Sequence, residues 1–357
     1  EHTVFSAPDL NLAICWELLL NKIRQSAGNL TIFNQLGILR DYTPEFIFCN
    51  LNVNEINLYF FQTCTCLISS RQNISNNTNE NFSYYLSGLI EGDGTIFVPK
   101  TDRNKNNKLN YPSIQIVFNL KDLPLAMLIQ KNLGNGSLSR KKGVNAYILT
   151  INNILGLIFI VKLINGKMRT PKLYAFHKLI DWLNNKDKNL NIDKLNKDNS
   201  SLNSNSWLSG FIEADGHFSV RTSITKLPGK YNKLECKLEI SQRQKDHNDR
   251  DNLYFLEDIA TIFLTNVKGF KMESKNPQYR LRTTSLKGNI LVEKYLLNYP
   301  LFGSKYLDQI DWLKVLDYFK SGQQMLNIQE ITKIKLNMND KRTNFNWDHL
   351  QNFYKLD

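Results

Sequence analysis

Hydrophobic positions after residue 80 follow two spacings, which together predict strands and helices in a repeating order. Alternating apolar and polar residues, many of them β-branched or aromatic, predict strands, whereas longer apolar spacing predicts helices. Two consecutive series each contain a helix, two strands, a helix, two strands and a final helix. The predicted strands are 95–99, 111–120, 137–143 and 146–151, then 217–224, 233–242, 267–274 and 278–285; helices are predicted at 123–134, 151–166 and 252–264.

One fourteen-residue segment occurs twice, 122 positions apart. Residues 85–98 read YLSGLIEGDGTIFV and residues 207–220 read WLSGFIEADGHFSV, with eight identical positions. A second pair of segments, 163–172 and 296–305, aligns without gaps and matches a leucine, an asparagine and a lysine. The duplication predicts two pseudo-equivalent halves related by an approximate two-fold axis.

Two polar stretches rich in Asn and Ser, 71–81 and 184–206, predict linkers. We divide the chain accordingly into an N-terminal extension of unknown role (1–80), a first half (81–195), a linker (196–206) and a second half with C-terminal helices (207–357). Because the chain begins with Glu1 rather than Met, we expect a fragment, a processed product or a fusion downstream of other coding sequence.

The charge of the chain predicts a polyanionic partner, either nucleic acid or an anionic membrane. The formal net charge is +12, with −3 over residues 1–80 and +15 over residues 81–357, so the polyanion is expected to bind after residue 80. The longest apolar stretch, 153–164, is shorter than the ~20 residues that cross a bilayer. The five cysteines show no C-x2-C spacing, which disfavours a disulfide scaffold or a zinc module.

The repeated segment has the features of a helix that packs closely against its own copy. Ser83 and Ser206 are the expected N-caps, and Gly94 and Gly216 the expected stops. Small residues recur four positions apart on one helix face and allow two backbones to approach. These residues are Gly88 and Gly92 in the first copy and Gly210 and Ala214 in the second.

Each predicted helix ends in an aspartate, Asp93 or Asp215. A carboxylate at a helix C-terminus faces the negative end of the dipole, and two neighbouring carboxylates repel each other. Bound Mg²⁺ would relieve that repulsion, and metals held by paired carboxylates beside a phosphate suit phosphodiester hydrolysis. Glu91 and Glu213 lie two residues earlier and are interpreted as polar contacts at the helix ends. For a single copy of the motif, the alternative to a metal site is simple helix packing followed by a turn.

The segments LSGLIEGDG and LSGFIEADG resemble the motif of the LAGLIDADG homing endonucleases, in their two-motif, single-chain form. The resemblance covers about residues 82–320. It implies an α+β fold of two αββαββα halves, each with an antiparallel four-stranded sheet, forming a DNA-binding saddle with the motif helices at the interface. It also implies metal ligands: the side chains of Asp93 and Asp215 and the backbone carbonyls of Gly92 and Ala214. Ser replaces Ala and Glu replaces Asp within the motif, without changing the metal-binding acid.

The same resemblance implies a basic residue near each scissile phosphate. Lys172 and Lys305, which align in the second repeated segment, fit these catalytic positions, where a lysine polarises water or stabilises charge on phosphorus. A solvated lysine at a helix end is the alternative for each. Gln242 and Asn119 are weaker candidates for polar groups near the site.

Contact with DNA is expected from basic residues on one face of each sheet and in adjoining loops, through phosphate contacts and base readout in the major groove. About half of these residues are equally well explained as an ordinary solvated surface. The candidates are Lys100, Arg103, Arg140, Lys141, Lys142, Arg221, Lys237, Arg243, Lys271, Arg280 and Arg282.

The sequence therefore predicts an intron-encoded, site-specific double-strand DNA endonuclease that acts as a monomer with Mg²⁺ (or Mn²⁺). A maturase that binds group I intron RNA and assists its splicing is the alternative, and a DNA-binding protein without catalysis is a third hypothesis. The abundance of Asn, Lys, Ile, Tyr and Phe reflects A/T-rich codons, so we expect an organelle gene and a mitochondrial matrix location.

Overall fold

The computed structural model describes residues 80–223 and 233–354, so the predicted N-terminal extension lies outside the described residues except for Glu80. Two halves, each built on one sheet, share the order of elements that the sequence predicts. The first half contains α1 (Glu80–Asp93), β1 (Gly94–Phe97), β2 (Ser113–Asn119), α2 (Leu123–Leu133), β3 (Ser137–Arg140), β4 (Ala146–Ile151), α3 (Ile154–Ile164) and α4 (Leu173–Lys186). The predicted α+β fold of two αββαββα halves is confirmed.

The second half repeats this order and adds helices at its C-terminal end. It contains α5 (Trp207–Asp215), β5 (Gly216–Ser223), β6 (Lys233–Arg243), α6 (Leu253–Ile262), β7 (Val267–Phe270), β8 (Gln278–Arg282), α7 (Leu286–Asn298), α8 (Ser304–Lys320) and α9 (Ile328–Leu336). None of the helices described is long and apolar enough to span a bilayer.

Both sheets are antiparallel and have equivalent strand orders, β1-β2-β4-β3 and β5-β6-β8-β7. Alternate strand residues face the helices and are buried, as Ile114 and Ile116 are in β2 and Leu238 and Ile240 are in β6. Within residues 80–223 and 233–354, no helix covers the opposite face of either sheet, and this face is more exposed. This alternation follows from the two-residue period of a strand and leaves one open face per half.

Helix boundaries have local causes that recur in both halves. Asn153 caps α3 by accepting a hydrogen bond from Gly156 N at 2.6 Å, and Ser285 caps α7 in the same way from Gly288 N at 3.0 Å. Gly134 ends α2 with a left-handed φ of 58°, a conformation that glycine adopts without strain. These signals explain where α3 and α7 begin and where α2 ends.

The motif helices α1 and α5 pack against each other at the interface between the halves. A Cβ atom added to Gly88 would lie 2.0 Å from the carbonyl oxygen of Trp207, and one added to Gly210 would lie 1.9 Å from that of Tyr85. Such distances leave no room for a side chain, because backbone atoms cannot move aside as a flexible side chain does. Close packing through small residues was predicted from the spacing.

Of the two predicted N-caps of the motif helices, Ser83 is wrong, whereas Ser206 holds the N-cap position without a capping hydrogen bond from its side chain. Helix α1 begins at Glu80, so Ser83 lies inside the first turn and is buried. Ser206 does precede α5, but its hydroxyl donates to the carbonyl oxygen of Asn81 in the other half. Asn205 accepts the hydrogen bond of Trp207 N at 3.0 Å instead. The predicted stops are confirmed, since both helices end at the residue before Gly94 and Gly216.

The polar segment between the halves is held against the first half, although its composition predicts a linker. Asp198 N donates to Met168 O at 2.8 Å, and the carboxylate of Asp198 pairs with Arg169. Asn165 binds the backbone of Asp193 and Leu195 through both ends of its amide. Asparagine side chains thus anchor this segment together with Leu190 and Ile192, which pack on the core of the first half.

The C-terminal segment crosses from the second half to the first. Phe353 is buried against Phe82 and Phe302, with ring centroids 5.7 and 4.7 Å away, and belongs to the core of the first half. Asn132 donates to Tyr354 O at 2.7 Å. Residues 339–354 therefore tie the two halves together in addition to the motif helices.

Candidate active site at the paired helix ends

The last residues of α1 and α5 are Asp93 and Asp215, and the two helix ends touch. A Cβ atom added to Gly92 would lie 2.2 Å from Ala214 Cβ and 2.9 Å from Asp215 Oδ2. The close packing that Gly88 and Gly210 permit therefore continues to the ends of the helices. It brings the two aspartates to adjacent positions beside the two sheets.

The surroundings of the two carboxylates disfavour their charged forms. Burial raises the pKa of Asp93 to about 6, and the negative charge of Asp215 adds to this effect. Burial also raises the pKa of Asp215, against the opposing influence of Lys305 and Lys172. Asp93 still reaches solvent, whereas Asp215 is half-buried. The paired acids thus carry the unfavourable electrostatics that the sequence predicts.

Lys172 and Lys305 occupy equivalent positions under the two motif helices. Lys172 Nζ donates to the carbonyl oxygens of Ile90, Gly92 and Gly94 at 3.0, 3.1 and 2.7 Å. Apart from Gly94, which begins β1, these residues belong to the last turn of α1, where carbonyl acceptors lack partners and the dipole favours a cation. Burial lowers the pKa of both lysines, while nearby carboxylates oppose that effect.

The second lysine repeats this arrangement in the other half. Lys305 Nζ donates to the carbonyl oxygens of Ile212, Glu213 and Ala214 at 3.1, 2.6 and 2.6 Å. At each helix end, the three N–H groups of one lysine ammonium therefore bind three backbone carbonyl oxygens. The carbonyls of Gly92 and Ala214, which the family resemblance implies as metal ligands, each accept a lysine hydrogen bond and keep a second lone pair.

Glu91 and Glu213 hold the chain segments that carry these lysines. Glu91 is buried and accepts hydrogen bonds from Arg169 N, Thr170 N and the Thr170 hydroxyl at 2.6–3.0 Å. Glu213 accepts from Phe302 N at 2.7 Å and from Gly303 N at 2.9 Å. Their interpretation as polar contacts at the helix ends is confirmed. Each places its lysine against the motif helix, because the bound residues lie two or three positions before Lys172 or Lys305.

Of the two weaker polar candidates, only one approaches the aspartates. Gln242, near the end of β6, donates its amide to Asp215 Oδ2. Asn119 ends β2, is exposed, and accepts a hydrogen bond from Lys121 N at 3.2 Å through its side chain. The structure brings Gln242 to the paired acids and leaves Asn119 on the open face of the first sheet.

The basic residues of the second half converge on the open face of its sheet. Pairing between strands places Arg221, Lys237 and Arg243 on the same side as Arg280 and Arg282. Its residues alternate with the buried residues Val220, Leu238 and Leu281, and none of the described helices covers this side. Sequence reasoning also missed Lys233 and Lys268, which share this face through their pairing with Ser223 and Arg280.

In the first half the predicted basic residues lie in loops or at a strand end. Lys100 and Arg103 belong to the exposed loop between β1 and β2, and Lys141 and Lys142 to the exposed turn after β3. Arg140 shares the side of β3 that carries Leu138, which packs on the core, so its position does not match an open-face residue. In the second half, Lys271 follows β7 in an exposed turn.

Comparison with known proteins decides which family carries this arrangement. The family model for the LAGLIDADG endonucleases matches residues 86–183 and 208–316, which include both motif helices and both sheets. The chain belongs to the LAGLIDADG endonuclease family. The two matched regions are the two halves of the fold, so the duplication seen in the sequence is that of the family.

Relatives of this LAGLIDADG endonuclease are intron-encoded proteins of fungi. It is 32% identical over 301 residues to the intron-encoded DNA endonuclease aI3 of Saccharomyces cerevisiae, covering 76% of this chain and 72% of the relative. It is 33% identical over 269 residues to the intron-encoded RNA maturase bI4 of the same yeast, covering 70% of this chain but only 38% of the relative.

Solved structures confirm the fold. The LAGLIDADG homing endonuclease I-GzeII, in complex with its DNA target, matches with a TM-score of 0.58 at 20% identity and covers 73% of this chain and 99% of that one. I-SmaMI bound to cleaved DNA matches with a TM-score of 0.58 at 19% identity, covering 73% and 98%. The shared architecture is that of two four-stranded antiparallel sheets with helices.

Proposed function

We propose that this protein is a site-specific double-strand DNA endonuclease of intron homing, and that Asp93 and Asp215 are its catalytic acids. The observation that carries the proposal is the meeting of these two carboxylates at the ends of tightly packed helices. Family membership and the yeast relative named as an intron-encoded DNA endonuclease support it. So do the related structures that contain target DNA or cleaved DNA.

The donor atoms at the helix ends fit a divalent cation with a preference for oxygen. Asp93 and Asp215 supply carboxylate oxygens, and the carbonyls of Gly92 and Ala214 lie next to them in the chain. No group of three or more His, Cys, Asp or Glu side chains suited to a metal occurs in residues 80–223 and 233–354. When bound, Mg²⁺ or Mn²⁺ supplies Lewis-acid chemistry for in-line displacement at phosphorus.

We assign Lys172 and Lys305 an electrostatic role beside the acids. Each ammonium neutralises the negative end of a motif helix and keeps its carbonyl oxygens engaged. Their positive charges oppose the rise in the pKa of Asp93 and Asp215 that burial causes, which favours the ionised carboxylates that a cation requires. They also make the helix ends less repulsive to a phosphate, which supports catalysis without transfer of a lysine proton.

Binding of double-stranded DNA is assigned to the open faces of the two sheets and their flanking loops. Basic side chains there provide salt-dependent contacts with phosphate, and strands fit the width of the major groove. Two halves in one chain suit a monomer acting on a long, asymmetric site. The relatives' intron-encoded names and the A/T-rich codon bias support an organelle gene and a mitochondrial matrix location.

The test is incubation of the protein with DNA that spans the junction of the two exons flanking its host intron. Cleavage of both strands at one position, in Mg²⁺ and not in EDTA, is the expected result. The same DNA interrupted by the intron serves as the control and should resist cleavage. Failure to cut uninterrupted DNA with Mg²⁺ or Mn²⁺ would contradict the proposal.

Similarity to an RNA maturase favours a second function, assistance of group I intron splicing. Splicing assistance does not require the paired acids, so it is separable from DNA cleavage. Splicing of the host intron in vitro should then be stimulated equally by the native protein and by an Asp93→Asn, Asp215→Asn variant. No stimulation by either protein would contradict this second function.

A further inference from the structure

The open faces of the two sheets differ in chemistry, although their folds are equivalent. In the first half, none of the described strand residues on the open face is charged. Its side chains are hydroxyls, amides and small or apolar groups. They are Thr95, Phe97, Ser113, Gln115, Val117, Asn119, Ser137, Ser139, Ala146, Ile148 and Thr150.

In the second half, charged side chains occupy most of the open face. Arginine or lysine stands at seven of its described strand positions and glutamate at two. The basic residues are Arg221, Lys233, Lys237, Arg243, Lys268, Arg280 and Arg282, and the acids are Glu235 and Glu239. The contrast lies in the strands themselves, because loops with exposed lysines flank both sheets.

The arginines at the centre of the second face are held in defined positions. Glu239 pairs with both Arg280, at 3.1 Å, and Arg282. Arg280 also donates to Ser241 Oγ at 2.9 Å, and its guanidinium lies over the ring of Phe270. A guanidinium fixed in this way loses less conformational entropy on binding than a free one.

We propose that the two sheets read different base compositions, the first sheet A·T pairs and the second sheet G·C pairs. Arginine forms two hydrogen bonds with guanine O6 and N7, and glutamine or asparagine forms two with adenine. Alanine, phenylalanine and the threonine methyl contact the methyl group of thymine. The target is therefore asymmetric in composition as well as in sequence. This inference rests on the proposed function, since it assigns base recognition to its DNA-binding faces.

The experiment is selection of bound duplexes from a randomised DNA pool by the full chain, in EDTA so that binding is measured without cleavage. One half of the recovered site is expected to be rich in A·T pairs and the other to contain conserved G·C pairs. Recovery of G·C pairs at equal frequency in both halves would overturn the inference. Recovery of no preferred duplex would overturn the proposed DNA recognition itself, and this inference with it.

Substitutions on each open face then show which sheet reads which half of the DNA site. Arg280→Gln and, separately, Arg243→Gln should weaken binding of the recovered duplex by about tenfold and relax preference at guanines in the G·C-containing half alone. Gln115→Ala should relax preference in the A·T-rich half alone. Arg243 is exposed at the end of β6, so its variant keeps the test valid if Arg280→Gln fails to fold.

The matched control is Lys178→Ala, which removes a basic residue from the exposed surface of α4 and should leave both halves of the preference unchanged. An effect of Arg243→Gln on the A·T-rich half, or of Gln115→Ala on the G·C-containing half, would overturn the assignment. Equal effects on both halves would do the same.

Discussion

Trp207 Nε1 donates a hydrogen bond to Glu91 Oε2 at 2.6 Å, from the first residue of one motif helix to the last turn of the other. The same carboxylate accepts the N–H groups of Arg169 and Thr170 before α4. One buried glutamate therefore connects the two halves and fixes the segment that carries Lys172. Glu213 has an equivalent role near Lys305, although it binds Tyr85 Oη, at 3.3 Å, instead of an indole.

Replacement of Glu91 by glutamine should destabilise the protein by about 1–3 kcal/mol, because an amide cannot accept all of these hydrogen bonds and buried donors remain unsatisfied. Urea unfolding of the two proteins measures the difference. Glu257→Gln, at an exposed position of α6, is the matched control and should change stability by less than about 0.5 kcal/mol. Equal stabilities for Glu91→Gln and Glu257→Gln would contradict this role.

Addition of one methyl group at the helix interface should disrupt it. Gly88→Ala and Gly210→Ala each place a Cβ atom about 2 Å from a backbone carbonyl oxygen, so the helices must separate. We expect a loss of about 3 kcal/mol or more, at the upper end of the cost of overpacking. Thermal unfolding followed by circular dichroism provides the measurement.

Gly269→Ala is the control for these variants. Its added Cβ would meet the end of the Met272 side chain, which is exposed and able to move. Its melting temperature should stay close to that of the native protein. Native-like melting of Gly88→Ala would show that the interface tolerates a side chain and would contradict the close packing.

The position of the motif helices was predictable from sequence, because the interface imposes small residues at fixed spacing. The sequence also predicted most strands and the alternation that places Arg221, Arg280 and Arg282 on one face. The start of α1 was not predictable: the helix begins at Glu80, three residues before the expected N-cap Ser83, and Phe82 in this added turn packs against Phe353 of the C-terminal segment. The composition of the segment between the halves also gave a misleading prediction. It suggests a linker, but the side chains of Asn165 and Asn184 bind the backbone of this segment, which has no apolar periodicity.

The contacts of Lys172 and Lys305 could not be predicted from the sequence, for a different reason. Alignment of the repeats identified Lys172 and Lys305, but their carbonyl partners depend on how Glu91 and Glu213 fold back the preceding segments. Likewise, the uncharged open face of the first sheet emerged only when the strand register was known. Long-range geometry of this kind leaves no periodic signal in a single sequence.

Loss of a site lysine should lower stability as well as activity. Lys172→Met leaves three carbonyl oxygens without their charged donor and should cost about 1.5–3 kcal/mol in unfolding free energy. Lys178→Met, at an exposed position of α4, should cost less than about 0.5 kcal/mol. Urea titration in EDTA separates this effect from metal binding, and equal stability of the two variants would contradict the capping role.

The raised pKa of Asp93 should appear in the pH dependence of metal-free stability. A carboxyl whose pKa is about 6 when folded and 3.8 when unfolded contributes stability below pH 3.8, and that contribution is lost as pH rises through 6. In EDTA, Asp93→Asn should therefore gain in melting temperature relative to the native protein between pH 5 and pH 8. A difference in melting temperature that is the same at both pH values would contradict the shift.

The central claim is that one acid from each half acts at a shared metal-dependent centre. Its most direct test is the rate of double-strand cleavage of the target in Mg²⁺ by Asp93→Asn, by Asp215→Asn and by the double variant, each first shown to bind the target in EDTA. We predict that each single variant loses double-strand cleavage by at least about a hundredfold, within the range for lost electrostatic stabilisation of a transition state, and that the double variant shows none. Native-like cleavage by the double variant would contradict the account.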